Sequence, residues 1–113
     1  MSTNSSIPAT REAVILLNAR NGSRTLQVRT EDGSLKMMHS RYDPEAEARS
    51  LVEAFGFGGR GPLVVLGLGM GYHVAELSRR FPGAEIHVIE LSPEIRDCQT
   101  KYGPQLDGGI AFR

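Results

Sequence analysis

The apolar positions of this chain follow two rhythms. Up to about residue 39 they come in short runs, "EAVILLNA" (12–19), "RTLQVRT" (24–30) and "LKMMHS" (35–40), separated by Asn21-Gly22 and Asp32-Gly33. In "TLQVR", Leu26 and Val28 alternate with polar neighbours, the period-2 pattern of a half-exposed strand. Asn-Gly and Asp-Gly between such runs are strong hairpin signals, because a type I′ turn needs positive φ at both central residues. The pattern predicts a three-stranded antiparallel β-meander over residues 12–39, behind a polar, flexible segment 1–11.

The rhythm then becomes helical. Asp43-Pro44 supplies a capping side chain and a proline at a first helical position, and Ala48, Leu51, Val52 and Phe55 recur on one stripe. "GFGGRGP" (56–62) closes this element, so residues 12–62 form a meander-plus-helix appendage. From Leu63 the run "LVVL" is too apolar to alternate, as expected of a strand buried on both faces of a parallel sheet. Val74, Leu77 and Phe81 keep helical spacing up to Pro82-Gly83; "AEIHVIEL" (84–91) is a second strand. Ser92-Pro93-Glu94 opens a helix striped by Ile95, Cys98 and Tyr102, and "GIAFR" (109–113) starts a third strand. Residues 63–113 thus read as a βαβαβ unit. The fold class is α/β, a truncated Rossmann-like sheet of the S-adenosylmethionine-methyltransferase type, with an N-terminal antiparallel meander.

Composition removes several function classes. Thirteen Lys and Arg balance thirteen Asp and Glu, so no strong field draws nucleic acid or an anionic membrane. The one cysteine, Cys98, allows no internal disulfide and no thiolate cluster, which suits a reducing cytoplasm. No apolar run reaches the roughly 20 residues that span a bilayer, and the start "MSTNSSIPATREA" lacks a signal peptide's pattern.

Candidate chemistry concentrates in "LVVLGLGMGYHVAEL" (63–77). Gly67, Gly69 and Gly71 sit where a buried strand turns into a helix. A side chain at Gly67 would hinder the tight turn, and one at Gly69 would keep a ligand from the backbone, while free N–H groups at the helix start carry positive partial charge. Glu90 lies 21 residues beyond Gly69 (90 − 69), at the end of the second strand. An acid at that distance is positioned to accept hydrogen bonds from ribose hydroxyls. The expected site comprises Gly67, Gly69, Gly71, Tyr72, His73, Glu90 and Leu91, with a nucleotide-type small molecule as ligand. A bare strand-to-helix turn and a solvated strand-end carboxylate are the plainer alternatives.

A dinucleotide fingerprint would need glycine at position 72, which is Tyr72. The spacing G-x-G-x-G instead resembles the first motif of class I S-adenosylmethionine-dependent methyltransferases, and "VIELSPEI" resembles their second. Aminopropyltransferases of the spermidine synthase type look similar here and also carry an N-terminal β-appendage. The acid that methyltransferases usually place two residues before the first glycine is Val65 in this chain. A second resemblance covers roughly residues 12–104. His39, Ser40, Tyr42, Asp43, Pro44, Glu47 and Ala48, followed by Gly67, Gly69, Gly71, Tyr72 and His73, resemble two motifs of the motility-associated factor glycosyltransferases. Those proteins are relatives of the archaeal pterin diphosphokinase-like family. This resemblance implies the Rossmann-like N-terminal domain of a multidomain protein that glycosylates flagellin, with sugar transfer assigned to a later domain. The methyltransferase resemblance implies S-adenosylmethionine or a related adenosyl nucleotide as cofactor.

The other chemistry-bearing residues have structural explanations. Asp43 reads as a helix cap, which leaves His39, Ser40 and Tyr42 without a catalytic assembly; His87 reads as a mid-strand residue. The histidines show no metal-ligand spacing, so no metal site and no catalytic residue is assigned. Three function classes stay open: a cofactor-binding or vestigial domain of a larger transferase, an adenosyl-dependent alkyltransferase, and a structural interaction domain. A parallel sheet with only three strands has an unpaired edge, so association with a second copy, or with further domains of a longer protein, is also expected.

Overall fold

A computed structural model describes residues 13–113; the segment 1–11 and Glu12, where the meander is predicted to begin, lie outside the described residues. The chain is α/β. Strands β1 (Ala13–Asn18), β2 (Arg24–Arg29) and β3 (Leu35–Met37) form an antiparallel meander in that order. After helix α1 (Pro44–Phe55), strands β4 (Pro62–Leu66), β5 (Glu85–Ile89) and β6 (Ala111–Phe112) form a parallel sheet, linked by α2 (Tyr72–Arg80) and α3 (Pro93–Tyr102). Leu63 pairs with Ile86 and Val65 with Val88, the parallel register expected of a Rossmann-like half.

The two hairpin turns form where predicted, by a different geometry. Among the described residues only glycines have positive φ, so Gly22 and Gly33 supply it while Asn21 and Asp32 do not. A type I′ turn is therefore absent. The Asn21 and Asp32 side chains instead accept the N–H two residues on, from Ser23 at 3.0 Å and Ser34 at 2.9 Å, which fixes the turn with one glycine.

Asp43 caps α1 by accepting the Ala46 N–H at 2.9 Å, and the Asn21 amide reaches both Asp43 and Glu45. The β1–β2 turn is thereby tied to the start of α1. Only part of the predicted stripe on α1 is covered. Ala48 and Val52 are buried, whereas Leu51 and Phe55 are exposed. The core joins Leu26 of the meander and Val52 of α1 to Leu63, Val74, Ile86, Val88 and Ile95 of the parallel unit. The expectation that β4 is buried on both faces fails, because burial follows the pleat. Leu63, Ile86 and Val88 are covered, while Val64 is 61% and Leu66 78% exposed, on a face that no helix among the described residues covers. No helix of the described residues is long and apolar enough to cross a membrane.

Candidate ligand site

The glycine turn is held by its own chain on every side. Past Leu66 the backbone has φ of +93° at Gly67, +53° at Gly69 and +86° at Gly71, and α2 begins at the next residue without a side-chain cap. The Gly67 N–H extends the sheet to the Ile89 carbonyl at 2.8 Å, and the Gly71 N–H closes on the Leu68 carbonyl at 2.8 Å. Glu90, the first residue past β5, turns its carboxylate toward this loop. One oxygen accepts the Leu68 N–H at 2.8 Å and the other the Ser92 N–H at 3.0 Å. A single side chain thus ties together the loops that follow β4 and β5.

A second clamp comes from the meander. His39 stands two residues past β3, is 8% exposed, and its Nε2 accepts the Met70 N–H at 2.8 Å. That bond requires a neutral ring with its proton on Nδ1. Burial, and then the neighbouring His73, push the His39 imidazole down to about 4, so it is neutral at pH 7. The two rings lie 5.8 Å apart, and His73 uses Nε2 to donate to the Gly67 carbonyl at 2.9 Å. Tyr72 turns away from the strand ends: its hydroxyl donates to the Arg24 carbonyl at 2.5 Å, and its ring meets His39 edge-on.

The predicted site residues are therefore divided. Gly67, Glu90 and Leu91 line one cavity of about 1020 Å³ outside the carboxyl ends of β4 and β5, where open α/β sheets bind ligands. Its opposite wall is the β2–β3 hairpin, with Glu31, Asp32 and Lys36. Gly67 also borders a smaller space of about 250 Å³ where Gly69 and His73 meet His39 and Glu47. Gly71 backs onto Gln99, and Tyr72 lies against β2, outside the large cavity.

The geometry decides what the large cavity can take. In the glycine turn the Leu68 and Met70 N–H groups already go to Glu90 and His39, and so are not free for a phosphate. Each Glu90 oxygen accepts one bond and keeps a lone pair for a further donor. Three other carboxylates, Glu31, Asp32 and Glu94, line the space, and Lys36 is the one cation on it among the described residues. Asp32 is held as a firm anion: the Thr30 hydroxyl, followed by Ser34, lowers its carboxyl to about 2. Hydroxyl donors and cations suit these walls, and phosphates do not. No group of three His, Cys, Asp or Glu among the described residues is arranged to hold a metal ion.

One expectation about the glycines changes. Position 69 is closely approached, but where a side chain would project it meets the His39 ring and not a ligand's place. Sequence reading also missed the hairpin as a cavity wall and His39 as a loop anchor. Neither leaves a trace in hydrophobic periodicity, since both depend on contacts across the chain (31 residues apart for His39 and Met70). The available signal was that a histidine-bearing segment precedes the glycine segment in the resemblance to the motility-associated transferases. No family model matches the chain, and no curated protein or solved structure matches it.

Proposed function

We propose that this chain is a Rossmann-like cofactor-binding half-domain that takes a phosphate-free adenosyl ligand and serves a larger cytoplasmic transferase, without being catalytic by itself. The observation that carries this reading is Glu90, whose carboxylate faces the glycine turn and lines the strand-end cavity with Gly67 and Leu91. Ribose hydroxyls would donate to the remaining lone pairs of Glu90, and Leu91, 89% exposed, would flank the base. The walls suit S-adenosylmethionine or its decarboxylated form better than a nucleotide, because the adenosyl sulfonium is a cation that needs no phosphate cradle. The larger protein, and its kinship to motility-associated glycosyltransferases or to adenosyl-dependent alkyltransferases, rest on the motif resemblances alone.

Thermal-shift measurements with S-adenosylmethionine, S-adenosylhomocysteine, AMP and CMP test it. An adenosyl thioether or sulfonium at 100 times its Kd stabilises by about 2.7 kcal/mol, with AMP and CMP much weaker. Glu90→Gln should weaken that ligand about tenfold, through loss of charge-assisted bonds. Circular dichroism must accompany it, since Glu90 also holds Leu68 and Ser92. A second reading, a purely structural domain, is favoured by the occupied Leu68 and Met70 N–H groups. Absence of any shift with all four compounds would decide for it.

The proposal extends to self-association. Alternate residues of a strand turn their N–H groups to opposite sides, and the Gly67 N–H reaches β5. Those of Val64 and Leu66 therefore face away from β5, beside exposed Val64 and Leu66 side chains, with no strand paired there among the described residues. An edge with no charged residue in β4 is poorly guarded against pairing. Sedimentation equilibrium at high concentration should show a dimer that Val64→Lys disrupts. A monomer at every concentration removes this part of the proposal.

A further inference from the structure

We propose that His39 is the positioning residue of the glycine turn, and that position 69 is glycine in order to admit the His39 ring. Three observations carry this. The buried imidazole accepts the Met70 N–H at 2.8 Å, in the middle of the turn. A Cβ at position 69 would overlap His39 Nε2 and stand 2.9 Å from Cε1, so no side chain fits while the ring is in place. The ring is itself held, edge-on by Tyr72 at 5.5 Å between centroids, with Ser40 next to it anchored by its N–H to Glu47 at 2.8 Å.

The consequence is a mechanical link between meander and strand ends. The β2–β3 hairpin that walls the large cavity continues through Met38 into His39, so fixing His39 on the turn fixes the distance between the two walls. Protonation of His39 would remove the acceptor and set a cation against the Met70 N–H. The groups that face the ring are His73 from α2, the Glu47 carboxyl group from α1 and the Tyr72 hydroxyl-bearing ring. The consequence for ligand affinity rests on the cofactor-site reading above, whereas the assignment of the turn does not.

Amide hydrogen exchange at Met70, measured by NMR against Val88 of β5, tests the assignment without any ligand. His39→Gln offers a neutral acceptor that does not titrate, and His39→Phe keeps a ring without an acceptor. His39→Phe should lower the Met70 protection factor at least tenfold at pH 7 while Val88 changes little. His39→Gln should restore most of it, and should remove the decline in Met70 protection that is expected of the wild type as pH falls from 6.5 to about 4. Equal Met70 protection in the wild type and His39→Phe overturns the proposal, as does a His39→Gln pH profile that follows the wild type. If His39→Phe does not fold, the comparison of His39→Gln with the wild type decides alone. S-adenosylhomocysteine serves as the ligand probe, expected to bind His39→Phe about tenfold more weakly than His39→Gln. Failure of both S-adenosylhomocysteine and S-adenosylmethionine, as of AMP and CMP, to bind the wild type removes the cofactor reading and leaves the exchange result to judge the turn.

Discussion

Between pH 6.5 and pH 4 the folded state is expected to lose about 3 kcal/mol of stability on account of one residue, His39. The sign follows from linkage. In the unfolded chain the imidazole takes up its proton near 6.5, whereas in the fold burial and the neighbouring His73 hold it down to about 4. Across that window the unfolded state binds more protons, so stability falls as pH falls; the contribution is complete above 6.5 and gone below about 4. Carboxylates add to the loss at lower pH. Asp32, Glu45 and Glu76 all have lowered pKa values, held by the Thr30 hydroxyl, by Ser23 and Asn21 against burial, and by Arg79 respectively. Their contributions disappear below the ordinary carboxylate range, so the decline between 6.5 and about 4.5 is the part that belongs to His39. Urea denaturation in steps across this range should show it in the wild type and a much flatter profile in His39→Gln. Parallel profiles would assign the acid sensitivity elsewhere.

The parts of the fold set by local rules were legible, and those set by long-range contacts were not. Asp43-Pro44 and Ser92-Pro93 mark helix starts because a side-chain oxygen and a missing N–H both suit a first turn, and both residues cap as expected, at 2.9 and 3.2 Å. "LVVL" and "AEIHVIEL" pair in parallel as expected, but the apolar density of "LVVL" overstates its burial, because one face of β4 stays open at Val64 and Leu66. The stripe of α1 failed halfway, since periodicity says which residues share a face but not how much of that face meets a partner; Leu51 and Phe55 stay exposed. The hairpin turns were placed correctly with the wrong geometry, because an Asn or Asp side chain can close a turn that a second positive φ would otherwise close.

The candidate site shows the same division more sharply. Glu90 and the glycines were found by spacing, because a strand end and the next strand end come together in any parallel sheet. That Glu90 spends one bond on each of two loops follows from how the loops after β4 and β5 come together. That His39 takes the Met70 N–H follows from where the segment after β3 meets the glycine turn. The segments 39–48 and 67–73 are in direct contact in the fold. His39 of the first lies on Gly69 of the second, and the Tyr72 ring and His73 of the second flank that histidine. That contact serves the fold whether or not a ligand binds.

Gly69→Ala is expected to cost about 3 kcal/mol, by two additive routes. The backbone at this position sits at φ +53°, where an L side chain costs roughly 1–2 kcal/mol. The new methyl would also overlap the His39 ring, and forcing a packed group aside typically costs roughly 1–3 kcal/mol. Gly67→Ala is the control, with φ +93° and nothing within 4 Å of an added Cβ, so it should show the backbone cost alone. The two routes separate in a double-mutant cycle. In a His39→Ala background the ring is gone, and Gly69→Ala should cost no more than the backbone route, about 1–2 kcal/mol. Chemical denaturation of the four proteins gives the coupling. If Gly69→Ala costs the same with and without His39, the glycine serves the turn's dihedral angles alone, and the close approach of the ring sets nothing at that position.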